Sequence, residues 1–185
     1  MKTTALISCE EFERLAADID EPCELIDGEI VILSPGGNPH SAISMNIGVV
    51  LMNFVKANKL GRVLGNEAGI HIREKLPRTR GMDVAFISYK RLPAGALPKG
   101  FLRASPELVV EVLGDKLRRD RIAEKIADYH SIGVDCVWVA DPDVKTMSVH
   151  PRNGPVVTIP ESGEMDGGEF LPGFCAKVSE FFDVS

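Results

Sequence analysis

The chain has 185 residues, 44% of them hydrophobic and 26% charged, which is enough to bury one sizeable core and too evenly mixed for a disordered polymer. A net charge of -6 argues against a protein that coats nucleic acid without discrimination. The most apolar run, 43–55, is too short to cross a bilayer and carries Ser44, Asn46 and Asn53, so no membrane partner is expected.

The N-terminal "MKTTALISCEEF" has no signal-peptide core. Four scattered cysteines (Cys9, Cys23, Cys136, Cys175), with no CxxC, read as reduced thiols of a cytoplasmic protein. His40, His71, His130 and His150 have no metal-ligand spacing, which argues against structural zinc.

In chain order, Ser8 and Glu11 form a capping box that opens a short helix with Phe12, Leu15, Ala16 and Ile19 on one face. "CELIDGEIVIL" is a hairpin signal, with Asp27-Gly28 at the turn. After the loop "SPGGNPH", Ile43, Ile47, Val50, Leu51, Phe54 and Val55 repeat with helical period, and the helix ends near Gly61. Strands are expected at 62–72, with a break at Gly65, at 82–88 and at 108–113. The Pro/Gly-rich "RLPAGALPKG" between the last two is an exposed loop. A helix over 117–130 ends before Gly133, "DCVWVA" is a strand, and "TMSVH" and "PVVTI" form a terminal β-meander. A small C-terminal helix docks through Phe181 and Phe182. This order predicts one α/β domain over 1–185, with a core at about 40–142: a mixed central sheet flanked by helices, with the early hairpin at one edge.

Two acids stand out. Strict alternation puts Asp83 with Ala85 and Ile87, opposite Met82, Val84 and Phe86. It puts Glu111 with Val109 and Leu113. An ionised carboxylate on an apolar strand face needs a partner. If the strands are neighbours, both acids can meet around a divalent cation such as Mg²⁺. They can equally point to solvent, or bond an arginine such as Arg80. Lys125 flanks the Ile122, Ile126, Tyr129 stripe of the next helix, and either snorkels to water or reaches back to Glu111. "REKLPRTR" and "KLRRDR" are solvated basic stretches or phosphate contacts.

Several segments together resemble the Uma-two family of putative restriction endonucleases, within the PD-(D/E)XK nuclease superfamily. They are "CELIDGEIVILSP", "HSAISMNIG", "RGMDVAFIS", "PELVVEVL" and "EKIADYHSIGVDCVWVADP". The resemblance implies a restriction-endonuclease-like fold in which Asp83 and Glu111 are the two acids. The superfamily lysine two residues after the second acid is replaced here by Leu113. The family pattern instead takes a lysine and tyrosine from the following helix, matched by Lys125 and Tyr129. Glu24 and His40 match further family positions. Two departures are Met82, where the family has proline, and Gly114-Asp115, where it has a Ser-Pro turn.

The expectation that follows is a Mg²⁺-dependent (or Mn²⁺-dependent) endonuclease acting on DNA. Asp83, Glu111 and the Val112 carbonyl hold the metal, and Lys125 stabilises transition-state charge. Glu24, His40 and Tyr129 support the site, and Arg73, Lys75, Arg78 and Arg80 with Arg118, Arg119 and Arg121 contact phosphates. Family analogy adds a homodimer. The rival reading is a catalytically inactive module of the same fold that binds nucleic acid or serves in protein assembly.

Overall fold

The computed structural model describes residues 6–114 and 116–184, the side chains of 116–118 excepted. Helix α1 (Cys9–Leu15) starts at Ser8, whose Oγ accepts the Glu11 amide at 3.1 Å. Strands β1 (Cys23–Ile26) and β2 (Glu29–Ile32) form the expected hairpin. Asp27 and Gly28 both have positive φ, at 52° and 83°, as a tight hairpin turn of this hand requires. Helix α2 (Asn38–Ala57) begins five residues before its first periodic apolar position, with proline in its first turn, so His40 lies at its N-terminal end.

Strands β3 (Gly61–Arg73) and β4 (Arg78–Ser88) form one long antiparallel pair. β3 is not broken at Gly65; it bulges between Gly65 and Ala68, where Asn66 and Glu67 both adopt left-handed φ. β4 begins four residues earlier than expected, so "REKLPRTR" is the hairpin end of β3 and β4, exposed at 74–76 and buried at 78–80. β5 (Leu108–Val112) then pairs antiparallel with β4, and helix α3 (Lys116–Ser131) crosses over to β6 (Cys136–Asp141), which is parallel to β5. β7 (Thr146–Pro151) and β8 (Val157–Pro160) complete the meander. A small second sheet, β9 (Glu164–Asp166) with β10 (Cys175–Lys177), was not foreseen, and α4 (Val178–Phe181) follows it with Phe181 and Phe182 buried.

The large sheet is mixed, in the order β2-β1-β4-β5-β6-β7-β8, with β3 on the other edge of β4. Ile43, Ile47, Leu51 and Val55 of α2 pack on one face against Val84, Phe86, Leu108, Val110 and Trp138. Tyr129, Ile122 and Ile126 of α3 pack on the other, against Met82, Ala85, Val109 and Val137. Met82 therefore shares a cluster with Ala85, not with Val84 as strict alternation predicts. The register slips at Asp83, across from the β3 bulge.

Candidate functional site

One edge of β4 is forked. Thr79 pairs with Leu25 of β1, and Val84 to Phe86 pair with Leu108 to Val110 of β5, both on the edge opposite β3. Between them β1 and β5 diverge, and residues 80–83 face side chains instead of a strand. The main chain still needs its hydrogen bonds. Gly81 N donates to Glu24 Oε1 at 3.1 Å, and Gly81 O accepts from Lys125 Nζ at 2.9 Å and Tyr129 Oη at 3.0 Å. Where the β4–β5 ladder stops, the Asp83 carboxylate takes over: its Oδ2 accepts the Val112 amide at 2.7 Å.

Around this fork the acids acquire partners. Lys125 Nζ lies 2.7 Å from Glu111 Oε2 and 3.4 Å from Glu24 Oε1, so the lysine reaches back rather than snorkelling. Tyr129 Oη is 2.6 Å from Glu111 Oε1. Arg80 Nη1 is 2.8 Å from Glu24, and His40 Nε2 is 3.1 Å from Asp83 Oδ2. Glu24, Asp83, Glu111 and Lys125 are all buried. The Glu111 partner is thus an ammonium and a phenol, not Arg80.

Burial, and then the charge of Asp83, push Glu111 up to about 8 against the pull of Lys125 and Tyr129. Burial alone would lower Lys125, but the charges of Glu111, Glu24 and Asp83 outweigh it and hold its pKa above lysine's ordinary value. Asp83 and Glu24 are also opposed by burial, yet both sit below the usual carboxylate range. For Asp83 the His40 hydrogen bond and Lys125 charge win; for Glu24 the Lys125 and Arg80 charges do. Burial and Glu111 raise Tyr129.

The basic residues are distributed differently from the expectation. Arg80 is 1% exposed at its side chain and bonds Glu24 and Asp128. Arg78 bonds Asp27, Glu124 and Asp128, and Arg73 bonds Asp27. Arg119 pairs with Asp141 and Asp143. These arginines neutralise acids of their own chain, which removes the reason to assign Arg80 or Arg78 to phosphate. Lys75 is exposed on the β3–β4 turn, and the side chain of Arg118, like Asp115, lies outside the described residues. Sequence reasoning missed Asp128 and Glu124. Their signal was present in α3, where 124/128 and 125/129 form adjacent i, i+4 stripes.

Glu24, Glu111, Lys125 and Arg121 line a cavity of about 30 Å³, room for roughly one water. Arg121 Nη1 is buried beside it with no hydrogen-bond partner among the described residues. Asp83 and His40 instead line a pocket of about 600 Å³ with Glu67. Among the described residues the site acids do not form a set of three whose donor atoms lie within 4.8 Å of one another. The donor set still suits a hard divalent cation that keeps several waters. Each carboxylate oxygen has two lone-pair directions, so a hydrogen bond does not exhaust it. The raised Glu111 shows what an added positive charge would relieve.

The family model of Uma2, described as "Putative restriction endonuclease", matches residues 9–179. No curated protein matches the chain. Among solved structures, the crystal structure of a putative nuclease belonging to DUF820 from Anabaena variabilis is similar at a TM-score of 0.80 and 20% identity. The match covers 95% of this chain and 97% of that one. No helix among the described residues is long and apolar enough to cross a membrane.

Proposed function

Since the chain belongs to the Uma2 family, we propose that it hydrolyses phosphodiester bonds of DNA with Mg²⁺ or Mn²⁺. The observation that carries this reading is the buried ammonium of Lys125, set 2.7 Å from Glu111 and 3.4 Å from Glu24 at the fork that also holds Asp83. Asp83, Glu111 and the Val112 carbonyl would hold the cation. A bound divalent ion supplies charge against the phosphodiester and lowers the pKa of a water.

The chain's own groups do the rest. Lys125 stabilises negative charge developing on the phosphate, in a water-poor setting where such contacts are strong. Glu24 and the Gly81 carbonyl hold that ammonium in place. His40 orients Asp83, and Tyr129 orients Glu111. Arg121, with its buried Nη1 at the cavity, is the guanidinium disposed to meet a phosphate oxygen. Cutting both strands of a duplex calls for two centres, hence two copies of the chain.

The inactive-module reading has one observation on its side: both Glu111 oxygens already have partners. Supercoiled plasmid separates the two. With Mg²⁺ or Mn²⁺ the protein should nick it, and Asp83→Asn and Glu111→Gln should each abolish nicking while remaining folded. Equal nicking by wild type and both variants, or none by any of them, would reject catalysis by this site.

A further inference from the structure

We propose that Cys9, His71 and Glu74 bind a zinc-class divalent cation that ties the start of α1 to the β3–β4 hairpin. This site is separate from the acids of the fork and does not depend on the nuclease reading. One donor atom from each of the three residues lies within 4.8 Å of the other two. A tetrahedral zinc ion draws such donors to about 3.5 Å of one another, so the remaining closure is about 1 Å. Glu74 is exposed in the turn after β3 and can supply it by side-chain rotation.

The second observation is the state of His71. Its side chain is 6% exposed, and Nε2 lies 3.1 Å from Glu13 Oε2. Nδ1 is buried with no hydrogen-bond partner among the described residues. A buried polar atom left alone is destabilising, so this nitrogen has reason to take a partner. A carboxylate on one imidazole nitrogen fixes the tautomer: Nε2 carries the proton and Nδ1 presents its lone pair. That is how metal-bound histidines are ordinarily braced from behind. Glu13 plays the bracing part, and its other oxygen is tied to the Phe101 amide at 3.2 Å.

Donor chemistry selects the metal. A thiol sulfur, an imidazole nitrogen and a carboxylate oxygen suit Zn²⁺, whereas Mg²⁺ does not take sulfur. Cys9 is completely buried, and burial with the Glu74 charge raises its thiol pKa, so the metal-free thiol keeps its proton. It donates to the carbonyl of Arg73 at 3.3 Å, and the Arg78 carbonyl is 3.8 Å away. Coordination would displace that proton. The nearest competitor is Arg103, whose Nη1 is 3.7 Å from Glu74 and whose side chain is 57% exposed, a weak surface pair. Linear spacing hides this site because its ligands come from α1, β3 and the turn beyond it.

The test uses the full chain, stripped with a chelator and titrated with Co²⁺ alone. One equivalent should give the near-ultraviolet thiolate-to-cobalt band, and Zn²⁺ should displace it. Cys9→Ser should lose the band, and exposed Glu74→Gln should weaken binding about tenfold or more while staying folded. Zn²⁺ should raise the Tm of wild type and of Glu111→Gln alike. The idea fails if no thiolate band forms, if the band survives in Cys9→Ser, or if Glu74→Gln binds as tightly as wild type.

Discussion

Tyr129 Oη stands 2.6 Å from Glu111 Oε1 and 3.0 Å from the Gly81 carbonyl. A phenol has one proton, and an ionised Glu111 would offer only acceptors on both sides. The phenol donates to Glu111 Oε1, and the Gly81 carbonyl is also served by the Lys125 ammonium at 2.9 Å. Burial pushes the Glu111 pKa up to about 8, which favours a proton on this carboxyl at neutral pH.

Mg²⁺ binding at the fork should therefore expel that proton. Near pH 7 calorimetry in buffers of different ionisation enthalpy should show close to one proton released per metal, falling towards zero by pH 9. Metal affinity should rise with pH through 8. A pH-independent affinity, with no release at pH 7, would show that Glu111 is not a ligand.

The same group sets a stability slope. Glu111 ionises near 4.5 when unfolded and about 8 when folded, so between those values the folded state binds more protons. Its contribution is present at low pH and is lost as pH rises from about 5 to 8. Glu111→Gln should flatten that fall in denaturant-derived stability; an unchanged slope would contradict the assignment.

Lys125 is the compensating charge for several buried acids. Lys125→Met should destabilise by roughly 3–5 kcal/mol, because it leaves uncompensated carboxylates in the interior. Adding Glu111→Gln should restore a substantial part of that loss above pH 8, where Glu111 is ionised, and less at neutral pH. Strict additivity of the two changes in urea unfolding would mean the pair is not coupled.

Arg80 and Arg119 were grouped by sequence but differ in setting. Arg80→Met should cost several kcal/mol, on the order of a broken buried ion pair. Arg119→Ala, at a partly exposed pair, should cost about 0–1 kcal/mol. If Arg80→Met were fully stable yet defective in DNA binding, the phosphate role would be reinstated.

Gly61→Ala and Gly81→Ala make a contrasting pair. A Cβ at Gly61 would lie 2.2 Å from the Ile87 carbonyl oxygen, which is backbone and cannot swing away. At Gly81 it would meet Glu67 Oε2 at 2.6 Å, the far end of a movable side chain. Gly61→Ala should lower the Tm far more than Gly81→Ala, and the reverse order would refute this packing.

Much of this architecture could be read from periodicity. The Ser8 cap, the Asp27-Gly28 turn, the α2 stripe and the acid-bearing strands all carry local signals. The slip at Asp83 could not be read, because it is caused by a bulge some sixteen residues upstream, around 65–68. Nor could the fate of Arg78 and Arg80, whose partners Asp27 and Asp128 come from a distant turn and helix. Alternation describes a strand with neighbours along its whole length, and it fails where a neighbour departs. β9 and β10 are three residues each, too short for a periodic signature.

The fork in the sheet makes a peptide group, the amide and carbonyl of residue 81, the hub on which Glu24, Lys125 and Tyr129 converge. Every residue type carries that carbonyl, and all but proline the amide. Such an anchor can persist while the letters around it change. Relatives that keep this hub need not spell it, and the place to look for it is in their hydrogen bonds.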